Sequence, residues 1–293
     1  MNHRVCSLLY RVTFLRTDAK IPWLGRLGLS LLPLLLLVFS YSQRASELAE
    51  TDRAKLMPTL EKLVIAAKKV ALPLPAPERE STRRKELRLE RQFVIFKDTV
   101  ASFKRLGWGF VVILFAVPLG VMMGCYPWAE SLSKTLMVIL SMIPALALLS
   151  ILFLTLGTGE VAKVGLIVLG VFPVVCLDTY LRAKSLPRQQ FFKAQSLGSC
   201  EVELPWRVVL PQIWPGVLNT IRLNMGLMAV LMIAGESISA ESGIGYRIFI
   251  KFYRTTAMDS TIVYVIWLTL LMFLLDALIS LWIKHRYKWL SSQ

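Results

Sequence analysis

The sequence predicts an all-α membrane protein with six transmembrane helices, and three observations carry that prediction. Of the 293 residues 55% are hydrophobic, and the mean hydropathy of +0.58 lies far above that of soluble domains. Six nearly uncharged windows, near 24–41, 107–125, 135–156, 161–181, 213–235 and 260–283, have the ~18–20 residues needed to span a hydrocarbon core of roughly 30 Å. Finally, Lys and Arg collect in three places. The N-terminal segment has Arg4, Arg11, Arg16 and Lys20 against Asp18. The 182–211 loop has Arg182, Lys184, Arg188, Lys193 and Arg207 against Glu201 and Glu203, and the tail has Lys284, Arg286 and Lys288 with no acid. Six spans starting from a cytoplasmic N-terminus put all three on the cytoplasmic side, as the retention of positive loops requires. The net charge of +15 is read the same way, so no nucleic-acid partner is expected.

The elements follow in order. Residues 1–42 form a cytoplasmic N-terminus and a first span. Its basic lead is long and no small-x-small site follows, which favours an uncleaved helix over a signal peptide. Residues 43–106 form an enlarged external segment. It carries the basic run Arg83-Arg84-Lys85, but segments longer than about 60 residues translocate largely regardless of charge. Within it Leu48, Leu56, Leu60, Leu63 and Ile65 have helical spacing, and the prolines of "PLPAPERE" interrupt the pattern. The stretch "RRKELRLERQFVIFKDTVASFKRLGWGF" is amphipathic: either an elbow on the membrane surface or a solvated connecting helix. Residues 107–283 hold the other five spans, and 284–293 a cytoplasmic tail. Pro118, Pro144 and Pro173 are expected to kink their spans, and Gly107, Gly109, Gly120 and Gly124 to let helices approach closely. The turn "GTGE" allows only a tight external reversal.

Polar groups at membrane depth are functional candidates. Asp178, Asn224, Glu236 and Asp276 are the candidates for a translocation path, Asp276 being expected to pair with another helix or to face a polar cavity. Asn224 could line a path or bridge helices. Lys163 is expected to snorkel to water. Enzyme chemistry has no machinery here: there is no GxxxxGK[ST] phosphate loop and no GxSxG elbow, and the only histidines are His3 and His285. Cys6, Cys125, Cys176 and Cys200 form neither a metal nor a disulfide pattern. No catalytic residue, metal or cofactor is expected.

The loop "FKAQSLGSCEVELPWRVVLPQIWPG" is too elaborate for a connection. "RQQFFKAQSLG" can form a short helix ended by Gly198 in the left-handed conformation. "CEVELPWRVVL" can form a second segment, with Pro211 beginning the return to the membrane. Phe191, Phe192, Leu197 and Trp206 would then face a knob that either inserts into a partner's groove or packs on its own bundle.

The spacing Gly198, nine residues, Val208-Val209-Leu210-Pro211 resembles the EAA-x3-G-x9-I-x-LP loop of ABC-importer permeases. Phe192 and Lys193 stand where that motif has Glu and Ala; Ala194 agrees. Further stretches over 98–290 resemble the nitrate/sulfonate/taurine branch: "SFKRLGWGF", "VPLGVMMG", "FLTLGTGE", "PVVCLDTY" with Asp178 in place of an Asn, "GESISAESGIGYRI" and "KHRYKWL". The resemblance implies a type I importer permease bundle in the cell inner membrane, in contact with membrane lipid. It implies that 182–211 is the coupling loop, with Phe192, Ala194, Gly198, Val208, Leu210 and Pro211 meeting a cytoplasmic ABC ATPase dimer. It also implies an external solute-binding protein, a permease homodimer, and ATP hydrolysis in the separate partner. The branch handles small solutes, many of them anions. Arg247, Lys251 and Arg254 would attract one, but Glu236, Glu241 and Asp259 offset them in sum. An ion-driven secondary transporter is the alternative, though it would need internal repeats that the sequence lacks; a non-transporting scaffold is another.

Overall fold

The computed structural model describes residues 23–49, 58–71, 94–239, 242–255 and 258–287, all of them helices and the turns between helices. The chain divides into two compact units, 1–62 and 63–293. In the first unit, α1 (Trp23–Ala49) carries Pro33 within its apolar stretch, and the Tyr41 hydroxyl donates to the Pro58 carbonyl at 2.9 Å. The boundary between the units falls within the next helix, α2 (Leu60–Ala71).

The second unit is a bundle around one central helix. In chain order it contains α3 (Val94–Leu114), α4 (Ala116–Cys125), α5 (Pro127–Met142), a short turn of helix at Ala145–Leu148, α6 (Leu149–Leu156) and α7 (Glu160–Lys184). It continues with α8 (Arg188–Ser196), α9 (Leu210–Leu223), α10 (Met225–Ser239), α11 (Ile244–Thr255) and α12 (Met258–Arg286). Helix α7 touches α3, α4, α5, α6, α9 and α10. Its buried residues Ala162, Leu166, Ile167, Val171, Val175, Thr179 and Ala183 recur at helical spacing on several faces, as a helix surrounded by others requires. Lipid tails are as apolar as leucine, so close packing and hydrogen bonds hold such helices together. Gly120 shows the closeness: a Cβ there would lie 2.5 Å from the Cys176 carbonyl. Gly124 meets Ala183 and Gly109 meets Ile167, whereas Gly107 faces open space and plays no such part.

Among the described residues three helices are long and apolar enough to cross a membrane, Ile95–Cys125, Glu160–Lys184 and Met258–Arg286. Two bent pairs raise the number to five if each is one span: Pro127–Met142 with Ala145–Leu156 at 86°, and Pro205–Leu223 with Met225–Ile238 at 42°. These five coincide with the second to sixth apolar windows; the first window lies in α1. The 86° bend has a local cause. Pro144 disfavours the helical region for the residue before it, and Ile143 is extended at ψ 123°. At Pro118 the missing N–H frees the carbonyl four residues back, and Phe115 tightens to a bond with the Val112 carbonyl at 3.1 Å. Pro173 leaves α7 unbroken.

Two readings of the sequence are corrected. Residues 83–93 of the amphipathic stretch lie outside the described residues; residues 94–106 are the first turns of α3, continuous through Gly107, with Asp98, Ser102 and Arg105 buried on one face rather than solvated. The return to the membrane starts at Pro205 rather than Pro211. A wide helical turn over Pro205–Val209 runs directly into α9, so the loop holds one separate short helix, α8, and not two.

Candidate translocation and coupling sites

A polar cluster closes the α11 end of the bundle. Asp98, Ser102 and Arg105 fall on one stripe of α3 by their spacing of four and three. Arg105 holds Glu160 with two bonds, Nε to Oε2 at 2.5 Å and Nη2 to Oε1 at 2.8 Å. Its Nη1 donates to Glu236 Oε1 at 2.6 Å and to the Ser242 carbonyl at 2.9 Å. Glu236 has 0% of its surface exposed and also accepts from Ser102 Oγ at 2.8 Å and from the Gly245 N–H at 2.8 Å. Asp98 accepts from the Gly243 N–H at 3.2 Å and from Arg247 Nε at 2.8 Å, and the Ile244 N–H donates to Ser102 Oγ at 2.9 Å. The first N–H groups of a helix have no partner within it and carry partial positive charge. Here two carboxylates and a hydroxyl from α3 and α10 serve those of α11. Gly243, at φ +132°, makes room: a Cβ would sit 2.6 Å from the Glu236 carboxylate.

Lys163 belongs to the same cluster. It does not snorkel to water: it is 5% exposed and donates to Glu160 Oε1 at 3.1 Å. Arg247, weighed as an attractor of anions against the acids of its stretch, pairs with Asp98.

Towards the α8 end of α7, Asp178 Oδ2 accepts from Arg182 Nε at 2.6 Å and from Thr220 Oγ1 at 2.7 Å, joining α7 to α9. Arg182 Nη2 donates to Thr220 Oγ1 at 3.1 Å, and the guanidinium crosses Gly216, where a Cβ would meet it at 2.5 Å. Asn224 bridges no helices. Its Nδ2 donates to the Thr220 carbonyl of its own helix at 2.9 Å, at the 42° bend between α9 and α10. Asp276 pairs with another helix, as expected of it: Arg222 Nε of α9 stands 3.1 Å from its Oδ1. That approach lacks hydrogen-bond geometry, and Arg222 Nε is buried without a hydrogen-bond partner among the described residues.

The α8 end is built differently. Glu130 at the start of α5 accepts from Lys184 Nζ at 2.6 Å and Tyr180 Oη at 2.5 Å of α7. Tyr126 Oη donates to the Glu201 carbonyl at 3.2 Å, tying the α4–α5 corner to the loop. A cavity of about 570 Å³ lies between this corner and α8, with Glu130, Lys184, Arg188, Phe191 and Phe192 among its walls. Gly198 has φ +90° after the end of α8, the left-handed turn read from the sequence. Phe191 packs against the core, whereas Phe192, Leu197, Val202 and Trp206 are exposed, Leu197 at 88%. Ala194 is half-buried, and Val208 and Leu210 are half-buried in the foot of the return helix beside exposed Pro211. Val209, fully buried, anchors that foot.

The fold is a helical bundle with an exposed short helix at one end, and similarity to known proteins gives its class. The family described as "Binding-protein-dependent transport system inner membrane component" matches residues 116–289. The chain belongs to this family: it is a multi-pass inner-membrane permease component of an ABC transporter, a class of subunit that is not itself catalytic. It is 34% identical over 178 residues to a "Probable ABC transporter permease protein" of Brucella melitensis, covering 60% of this chain and 72% of that one. With the taurine transport system permease protein TauC of Escherichia coli K12 it shares 30% identity over 139 residues, 47% of this chain and half of the length of TauC. A solved structure of the MetNI methionine ABC transporter overlaps it at a TM-score of 0.49 and 18% identity, over 70% of this chain and 97% of that one.

The sequence singled out Glu236 but not the partners that bury it. Ser102 and Arg105 stood in a quoted motif without a role, and Arg222 was not marked at all. Arg222 in α9 and Asp276 in α12 have two helices of chain between them, which no local pattern bridges. A charge count over the 213–235 window would have found Arg222.

Proposed function

We propose that the chain forms, as a homodimer of six-span subunits, the path by which an ATP-driven importer brings a small polar, anionic solute into the cell. Nitrate-, sulfonate- and taurine-like solutes are the intended class, in line with the similarity to TauC. The observation that carries the coupling part of this reading is α8. It stands between two span ends, its Phe191 packs on the core, Val209 anchors the return helix that follows, and Phe192 and Leu197 are left exposed. Docking in a groove of a cytoplasmic ATPase dimer would cover them. The α8 end is then cytoplasmic, the α11 end external and open to a solute-binding protein. Asp178, Asn224, Glu236 and Asp276 remain the polar groups considered for the path, of which Glu236 is fully engaged by its own chain. ATP-driven closure of the ATPases can shift the bundle between its two states only by their differential affinity for those states.

Copurification tests the reading. The tagged permease, expressed with the ATPase and binding protein encoded beside it, should bring down the ATPase in stoichiometric amount. Uptake that proceeds on an ion gradient without any ATPase would replace this reading with a secondary transporter.

A further inference from the structure

We infer that Arg222 is the point inside the membrane at which the solute's anionic group binds, and that Asp276 is the resting partner which the anion displaces. This rests on the permease reading above and names the ligand chemistry of its path.

Position comes first. Asp276 lies ten residues before the end of α12, about 15 Å along its axis at 1.5 Å per residue, and so within a hydrocarbon core of roughly 30 Å. Arg222 lies near the middle of the bent pair Pro205–Ile238, two residues before the bend at Asn224. Charged groups at such depth are costly when they meet lipid and almost always face the bundle interior or a water-filled cavity. Yet the Asp276 side chain is 44% exposed on the single chain. This face therefore looks onto water or onto a second copy, and in a dimeric permease the path runs between the copies.

Incomplete pairing comes second. Arg105 has Glu160 and Glu236, Arg182 has Asp178 and Thr220, Arg247 has Asp98 and Lys163 has Glu160, all through hydrogen bonds. Among the described residues Arg222 has one ion pair, out of hydrogen-bond geometry, and a buried Nε without a hydrogen-bond partner. A guanidinium offers five donors in a rigid fork suited to the paired oxygens of a carboxylate, sulfonate or nitrate. There is also room: one turn on, at Gly226, a Cβ would meet nothing within 4 Å.

The pairing explains release as well as binding. A permeating path must hold its solute firmly enough to admit it and weakly enough to let it go. Arg222 keeps an anionic partner in either state, Asp276 at rest and the solute in transit. With the solute bound, the freed Asp276 carboxylate repels it and competes for its place.

The test uses the complete transporter in proteoliposomes, with its ATPases and binding protein, and taurine, nitrate and butanesulfonate as uptake probes. Arg222→Gln should lower uptake of the transported anion about ten- to a hundredfold, the loss expected for a hydrogen bond to a charged group, with the complex still recovered intact. Asp276→Asn should lower both KM and kcat, since the competitor is gone and release slows; a purely structural pair would not produce that split. Should Arg222→Gln fail to assemble, the neutral pair R222Q/D276N restores assembly. Uptake that stays low in that pair supports anion binding at Arg222, and restored uptake overturns it. Wild-type uptake by Arg222→Gln overturns the inference and leaves the permease reading standing. Failure of wild-type protein to take up any of the anions overturns the proposed solute class and this inference with it.

Discussion

The two ends of the bundle place their charges in opposite ways. At the α11 end Asp98, Glu160 and Glu236 face Arg105, Lys163 and Arg247, three of each sign, and the groups at its centre are buried. At the α8 end the pairs Glu130–Lys184, Glu130–Lys134 and Glu203–Arg207 lie at the surface beside bare apolar side chains. The first end is completed by its own chain. Removing one member of a buried pair strands the other at a cost of several kcal/mol, so such a network fixes one arrangement. Surface pairs are worth little and break easily. The second end is therefore free to be rearranged and finished by a partner. This is a division of labour along one set of helices, since α7 begins in the first cluster at Glu160 and ends in the second at Lys184.

Breaking the buried end should have the largest effect. Glu236→Ala leaves Arg105 with the exposed Glu160 as its one carboxylate among the described residues, and removes the acceptor of the Ser102 hydroxyl and the Gly245 N–H. A loss of about 3–5 kcal/mol is expected, read as a large fall in unfolding temperature and in recovered monodisperse protein. The pair change R105M/E236L should regain part of it, because two apolar groups of similar volume remove both charges together. An Arg105→Met single variant as stable as the pair variant would show that the network holds nothing together.

Gly243→Ala comes next. It forces a Cβ onto the Glu236 carboxylate at a backbone angle of +132° that side chains avoid, for a cost of roughly 1–3 kcal/mol. Gly198→Ala puts a similar strain at φ +90°, but a Cβ there meets nothing within 4 Å. The comparison is sharp because the two share the backbone problem and differ in the clash. Thermal unfolding should rank Gly243→Ala clearly below Gly198→Ala, and equal losses would mean that the buried end accommodates a Cβ by moving.

Thr220→Val probes the ground between the ends. It removes the hydroxyl that donates to Asp178 and accepts from Arg182, and should cost about 1 kcal/mol. No change in unfolding temperature would mean that the α7–α9 contact is held by packing over Gly216 alone.

How much of this was legible in the sequence follows the range of each interaction. The apolar windows give five of the helices directly, because span length is a local property. Gly198 is legible for the same reason, since a short helix must end somewhere and only glycine turns there cheaply. The ion network is not, because Arg105 and Glu236 are 131 residues apart and each taken alone reads as a surface charge. Lys163 illustrates the cost: with Glu160 one turn away it reads as a snorkelling lysine, and only Arg105 from another helix turns the three into a buried site. Residues 94–106 read as amphipathic because their polar stripe is real; what the stripe faces is other helices rather than water. The proline signals split by context. Pro144 bends its span because Ile143 is extended, whereas α7 carries Pro173 without a break.

The smallest effect on stability should come with a large effect on assembly, at Leu197. It is 88% exposed, so Leu197→Asp should change the stability of the isolated permease by no more than about 0.5 kcal/mol. If α8 seats in a groove of the ATPase, the same change places a charge where an apolar side chain was to be buried. Burial of a leucine is worth about 1.5–3 kcal/mol, so the ATPase affinity should fall at least tenfold. Phe192→Ser should act in the same direction. Pull-down of the ATPase against the two permease variants, beside an unfolding curve for each, separates the possibilities. Loss of stability together with loss of binding would mean that the tip of α8 packs on its own bundle. Unchanged binding would mean that the partner docks elsewhere, and the exposed end would then need another occupant. Cys200, exposed three residues past Leu197, supplies the orientation: a membrane-impermeant thiol reagent should reach it only after permeabilisation, and reach it less when the ATPase is bound.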